Sequence, residues 1–384
     1  MYKILKLNKI SEKIDGLYNH DLYEVSDELE NPDAVIVRSA NMHEMKFENN
    51  LLAIARAGAG TNTIPVEECK KKGIVVFNTP GANANAVKEM VVCAMIMSAR
   101  NVKESIDWTN GLQNLGDEVP EKAERGKSNF NGYELIGKTL GVMGLGATGG
   151  LVAEAAISLG MKVIGYDPHL ALRAALRLNN NVKQVGIDEL LSKSDFVSVH
   201  IPLTPDTKYM INGEMMAKMK KGVILLNFSR ADLVNRTDLK TAIENKIISK
   251  YVVDFPTCDI LNTANIICLP HLASSTTESE DNCAVMAINE LIDYIENGNI
   301  VNSVNYPECV LNRVDNCSRI TVLHINKPGV INSITNIIHQ KGLNILNMVS
   351  ASKDDVAYSI LDVEGDLNDI VFDDVENIIR IRIL

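Results

Sequence analysis

Nothing in this chain is spaced like a zinc knuckle or a disulfide frame. Its seven cysteines (Cys69, Cys93, Cys258, Cys268, Cys283, Cys309 and Cys317) are scattered and odd in number, and no two stand in C-x-x-C spacing. In a chain of 384 residues that pattern points to reduced thiols in a cytoplasmic protein, with no metal site. Long apolar runs are missing too. The run near residues 91–97 is far too short to span a bilayer. The first seven residues alternate like a strand and carry no signal-peptide pattern. Positive charge is in deficit: 38 Lys and Arg against 49 Asp and Glu leave a net charge of −11. That balance argues against a nucleic-acid surface and against attraction to anionic membrane. What is present is ordinary for a globular protein, 46% apolar and 23% charged, in a chain long enough for two or three domains.

The most informative stretch runs through Gly144, Gly146 and Gly149, a G-x-G-x-x-G. It follows an apolar stretch, Thr139–Met143, that reads as a strand, and it precedes a helical pattern over residues 151–159. A second strand, Lys162–Tyr166, ends at Asp167. This is a βαβ unit with an acid where a ribose would lie. The glycines let the backbone turn tightly and approach a pyrophosphate at a helix N-terminus, where free N–H groups favour anions. Asp167 can accept hydrogen bonds from both ribose hydroxyls and would repel a 2′-phosphate, so NAD is favoured over NADP.

The first hundred residues alternate strands (34–38, 51–55, 74–77) with helices (65–72, ended by Gly73, and 87–98), as a small α/β domain does. Residues 111–131 are polar and glycine-bearing and read as surface cover. After Asp167 come further strands at 196–201, 223–227, 251–254 and 266–269, as a doubly wound parallel sheet needs. Residues 276–297 form one long helical pattern stopped by Gly298, which could bridge back to the first domain and leave a cleft between two hinged parts. From Arg319 the order is βαββαβ: a strand at 320–325, a helix at 330–340, strands at 344–350 and 356–363, a short acidic helix near 368–375, and a strand at 378–384. That is the split-βαβ, ferredoxin-like pattern.

Three polar residues stand where strands of the nucleotide half end, which is where open α/β sheets bind ligands. They are His200, Arg230 and His271. Hydride removal from a secondary alcohol needs a base for the hydroxyl proton, and a histidine of near-neutral pKa suits that task. His271 is the candidate, because Pro270 fixes its loop and small residues follow it. Arg230 can hold a substrate carboxylate in bidentate fashion.

These motifs resemble the D-2-hydroxyacid dehydrogenase family, in particular its phosphoglycerate dehydrogenase branch. Val37–Ser39, the Gly-Ala-Gly-Thr-Asn at 58–62 and the Asn-Thr-Pro-Gly-Ala-Asn at 78–83 match its substrate domain. The fingerprint, Val-Ser-Val-His-Ile-Pro around His200, and the Arg230 and Pro270-His271 segments follow in the family's order. The resemblance implies two Rossmann-like doubly wound parallel-sheet domains plus a C-terminal ferredoxin-like (ACT) α+β domain. The expected bounds are 1–100 with 283–310 for substrate, 101–282 for NAD, and 318–384 for regulation. It implies NAD held by Gly144, Gly146, Ala147, Thr148, Gly149 and Asp167, with Phe228, Ser229 and Asp254 at the nicotinamide. His200, Pro202 and Ala273 complete the expected cofactor set. Arg230 and His271 take the catalytic roles. Arg38 and Ser39 take the phosphate, and Asn83 lies near the substrate.

The ACT resemblance implies an amino-acid effector, L-serine, held by His324, Asn326 and Asn344, and a homodimer or homotetramer. The chain departs from the family in one place. The glutamate that partners the histidine is missing from Asp-Phe-Pro-Thr-Cys-Asp at 254–259. Asp259 is the candidate substitute, or a local gap puts Cys258 there. Three functions follow: oxidation of 3-phospho-D-glycerate, action on glyoxylate, hydroxypyruvate or another 2-hydroxy acid, or a non-catalytic NAD-sensing partner protein.

Overall fold

The computed structural model describes the chain from Met1 to Leu384 except residues 315, 366, 368–371, 373 and 374. It divides into two compact units, Met1–Asn83 with Thr277–Leu384, and Ala84–Thr276. Residues 318–384, expected as a part of their own, fall in the first unit, and the helix Ala84–Ala99, expected with the substrate part, falls in the second. Its Val87, Val91, Ala94 and Met95 pack against Val152, Ala153 and Ala156 of the helix Ala147–Ser158.

The first unit holds five parallel strands: β1 (Tyr2–Leu7), β2 (Tyr23–Ser26), β3 (Ala34–Val37), β4 (Ala53–Arg56) and β5 (Val75–Asn78), in the order β2-β1-β3-β4-β5. β3 reads Ala-Val-Ile-Val and is buried throughout, as a parallel strand covered on both faces must be. Ile36, Ala55 and Phe77 meet Ala284, Ile288, Leu291 and Tyr294 of the long helix Thr277–Asn297. Val35, Ile54 and Val76 face a second core with Ile64 and Cys69.

The second unit holds seven parallel strands: β6 (Thr139–Met143), β7 (Lys162–Tyr166), β8 (Val182–Gln184), β9 (Phe196–Val199), β10 (Val223–Asn227), β11 (Ile248–Val253) and β12 (Ile266–Cys268). Their order is β12-β11-β10-β9-β6-β7-β8. The order reverses between β6 and β9, the switch point where such sheets take dinucleotides. β2 and β8, short edge strands, escape the sequence reading. So does the helical nature of residues 111–131, where the helix Val119–Gly126 lies between short 3-10 stretches.

The chain ends in an antiparallel sheet of β13 (Ser318–Ile325), β14 (Asn344–Lys353), β15 (Val356–Glu364) and β16 (Ile378–Ile383), ordered β14-β15-β13-β16. That is the split-βαβ order. The helix Val330–Gln340 buries Val330, Ile334 and Ile338 on one face against Ile320, Val322 and Leu361. The other face sends Leu323, Tyr358 and Ile360 into the core of the long helix. Arg319 and Asp362, both fully buried, pair at 2.7 and 3.0 Å. Arg319 also donates to the carbonyls of Asn297 and Leu311, and Arg382 to those of Tyr294 and Ile295. Arg380 donates to the carbonyls of Asn49, Leu51 and Lys72. The acidic helix expected near 368–375 falls mostly outside the described residues.

Candidate active site

At the end of β6 the backbone turns through Gly144 at φ 89°. A Cβ at Gly144 would sit 2.5 Å from the His200 carbonyl oxygen, and one at Gly149 would sit 1.9 Å from the Gly144 carbonyl oxygen. A side chain at either position is therefore incompatible with the turn and with the close seat of the helix upon it. Gly146 differs: a Cβ there would meet nothing within 4 Å. It caps the helix Ala147–Ser158 with no side-chain hydrogen bond, so the turn offers open space in front of uncapped N–H groups, including those of Ala147 and Thr148. Asp167 stands at the rim. Its Oδ2 accepts from the Leu145 N–H at 2.9 Å and its Oδ1 from the His169 N–H at 3.0 Å. Each oxygen keeps a lone pair for a ribose hydroxyl. This donor set fits an adenine dinucleotide.

Across the switch point, the His200 N–H bonds the Met143 carbonyl at 2.7 Å, and His200 Nε2 meets Ser198 Oγ at 2.8 Å. Burial pushes the imidazole down to about 4, so it stays neutral at physiological pH. Pro202 follows, exposed. On the next strand Asn227 is fully buried. It accepts from the Ser229 N–H at 3.1 Å and donates to the Arg230 carbonyl at 2.8 Å, while Ser229 Oγ donates to the Val199 carbonyl. Phe228 is turned into the core. Asn227 thus fixes the segment that presents Arg230. Its signal in sequence is an amide at the end of a buried strand, where it must find partners.

Asp254 is 1% exposed and accepts from the N–H groups of Leu272 at 2.7 Å and Ala273 at 2.9 Å. It clamps the loop that holds His271, whose φ of 56° is left-handed, a conformation uncommon outside glycine that histidine, asparagine and aspartate adopt more readily than other residues. Both expected catalytic side chains contact Phe255. Its ring centroid is 4.6 Å from that of His271, tilted by 53°, and the Arg230 guanidinium carbon stands 5.5 Å over it. The sequence reading missed Phe255, Asn227 and the clamping role of Asp254. It also expected Asp259 behind His271, and the contacts of Asp259 in the structure are with other groups. The Asp259 carboxylate accepts from Thr257 Oγ1 at 2.6 Å and lies 3.4 Å from Arg236 Nε. The Thr257 hydroxyl first, and then Arg236 and Lys240, hold it below the usual aspartate value. Cys258 is exposed. Among the described residues no hydrogen bond or ion pair joins His271 to a carboxylate.

Residues 92–273 match the family profile described as D-isomer specific 2-hydroxyacid dehydrogenase, NAD binding domain. The chain is 31% identical to D-3-phosphoglycerate dehydrogenase of Escherichia coli strain K12, over 82% of this chain and 76% of that one. It is 30% identical to the Haemophilus influenzae enzyme of the same name, over 87% and 81%. The chain belongs to the D-2-hydroxyacid dehydrogenase family. Among solved structures, an NAD-bound 3-phosphoglycerate dehydrogenase of Entamoeba histolytica superposes with a TM-score of 0.61 at 27% identity, covering 79% of this chain and 98% of that one. A D-2-hydroxyacid dehydrogenase of this kind is an NAD-dependent oxidoreductase. The glycine turn, the open face of Gly146 and Asp167 are the groups of this chain that fit NAD.

In the first unit, Arg38 Nη2 pairs with Glu280 Oε1 at 2.5 Å, a partner from the long helix that the sequence did not reveal. The Ser39 N–H donates to Asn8 Oδ1 at 3.2 Å. Asn83 is half-buried after β5.

The three effector candidates do not converge within one chain. His324 is buried, with Nδ1 near the Ile325 carbonyl (2.9 Å) and Nε2 near Ser359 Oγ (3.2 Å). The Asn326 N–H donates to the Asp355 carbonyl at the same end of the sheet. Asn344 begins β14 opposite Glu364, whereas His324 lies opposite Ala357. About seven residues of strand therefore separate the two ends, roughly 20 Å.

Proposed function

We propose that this dehydrogenase oxidises 3-phospho-D-glycerate to 3-phosphohydroxypyruvate. The observation that carries this is the shared contact of Arg230 and His271 with the Phe255 ring, at the carboxyl edge of an NAD-type sheet. Relatives bearing that activity in their names add to it. Arg230, exposed and backed by the ring, takes the substrate carboxylate bidentately. His271 accepts the proton of the 2-hydroxyl through a ring nitrogen. NAD, when bound, supplies the hydride acceptor. His200 stays uncharged and would add no positive charge to oppose an oxidised nicotinamide held at this edge. Ser229 and Asn227 keep Arg230 in register, and Asp254 keeps the histidine loop closed on itself. Arg38 and Ser39 take the phosphate, with Asn83 near the substrate.

NADH formation from 3-phosphoglycerate tests this. His271→Ala is expected to lower kcat by about 10²–10⁴-fold, and full activity in that variant would remove the base assignment. A smaller 2-hydroxy acid without phosphate is the second candidate, favoured by the pairing of Arg38 with Glu280. Arg38→Ala separates the two, since it should raise KM for the phosphorylated substrate and leave KM for hydroxypyruvate unchanged. We further infer that L-serine binds the C-terminal sheet of a homodimer or homotetramer, with Asn344 of one chain completing the His324 and Asn326 end of another. Calorimetry with serine tests this, and an absence of binding would end it.

A further inference from the structure

The long helix Thr277–Asn297 and the loops at 81–82 and 299–302 of the first unit line an open groove of about 640 Å³, a volume within the range of small-molecule pockets. Its polar wall is made by Asn282, Asn289, Glu290, Asp293, Asn299 and Asn302, and among the described residues no lysine, arginine or histidine lines it. Glu290 is 9% exposed. Its Oε1 accepts from the Asn302 amide at 2.7 Å, and its Oε2 is buried without a hydrogen-bond partner. A buried polar atom without a partner is rare in native structures and calls for one. Asp293 already receives the amides of Asn297 and Asn299. Val285 and Met286 supply an apolar strip beside these groups.

We propose that this groove binds a small organic ammonium ion, its N–H groups received by Glu290 and by asparagine carbonyls, its alkyl stem lying on Val285 and Met286. The lack of any cation in the wall disfavours an anion. The pair of acids, one with an unpartnered oxygen, favours a charged donor over a neutral polyol. Burial raises the Glu290 carboxyl to about 8, opposed only by the Asn302 amide. Asp293 is the other ionisable group of the groove, and the strands packed beneath the helix present apolar residues such as Ala55 and Phe77. Near neutral pH Glu290 therefore holds its proton, and binding exchanges it: the carboxylic acid and the ammonium ion give a carboxylate–ammonium pair and one released proton. Affinity must then rise with pH up to about 8.

The full-length chain is titrated calorimetrically with 2-aminoethanol at pH 6.5 and 8.5, in buffers of different ionisation enthalpy. Binding should be roughly twentyfold tighter at pH 8.5, with about one proton released per molecule bound at pH 6.5. Glu290→Gln should abolish both effects. Met286→Lys, one turn before Glu290 on the same helix face, supplies an internal ammonium and should exclude the probe while the protein still melts cooperatively. If Glu290→Gln fails to fold, Met286→Lys decides alone. No heat at either pH, binding without proton release, equal binding of ethane-1,2-diol, or undiminished binding by Met286→Lys would overturn the proposal.

Discussion

The glycine turn and the histidine edge sit on the same seven-stranded sheet, yet they are held in different ways. At the turn, geometry is set by what cannot be there: Gly144 and Gly149 have no room for a Cβ, and Asp167 is fastened to the backbone of the turn itself. At the edge, geometry is set by what is added. A buried aspartate clamps the loop, an aromatic ring touches both the arginine and the histidine, and the expected carboxylate is engaged elsewhere. The turn's requirements are therefore steric and local in sequence. Those of the edge depend on neighbours brought from 227–230, 254–259 and 271–273.

Substitutions can break that contrast. Gly149→Ala should be the most damaging, because its methyl group meets a carbonyl that cannot move without opening the turn. Melting should fall by several degrees, as expected for a cost of about 3 kcal/mol or more, and NAD affinity should fall with it. Gly146→Ala, with free space around it, should melt within about 1 °C of the parent and still weaken NAD by roughly tenfold, measured by calorimetry. Equal losses of stability in the two would erase the distinction between them.

The next largest effect is a pH dependence of stability. His200 is lowered to about 4 in the folded chain from 6.5. The unfolded chain therefore binds more protons between those values, so stability is full above about pH 6.5 and declines as the pH falls toward 4. The decline amounts to up to about 3 kcal/mol. Urea unfolding at pH 7 and 4.5 should show a smaller decline in His200→Asn.

At the edge, Asp254→Asn turns one accepting oxygen into a donor facing an N–H. The cost should be about 1–3 kcal/mol in loop anchoring, read as a fall in kcat larger than any change in the KM for substrate. Asp259→Asn should do least. Its carboxylate serves Thr257 and Arg236, so kcat should change less than about twofold, within the range of exposed ion pairs. A tenfold loss would return Asp259 to the role behind His271.

The parallel strands were legible because both faces of each are covered, which writes them as short unbroken apolar runs such as Ala-Val-Ile-Val at β3. The fingerprint was legible because its glycines act on neighbours within a few residues. The helix Val119–Gly126 was not, since its residues are mostly polar and exposed and give little apolar stripe. The orientation of Asp259 was hidden for another reason: it depends on Arg236 and Lys240, more than fifteen residues away, and on a hydroxyl two residues before it. The three effector candidates look clustered in sequence order, yet antiparallel pairing sends Asn344 to the far end of the sheet.

The buried Arg319–Asp362 pair carries a practical warning. Arginines 319, 380 and 382 thread the last strands into peptide carbonyls of the long helix and of the segments around β4 and β5. Cutting the gene before codon 318 would not release a trimmed, working enzyme. It would strip Tyr294 and its neighbours of their cover and strand those oxygens, so the shortened polypeptide should collect in inclusion bodies, whereas a cut in a loosely tethered tail would pass unnoticed.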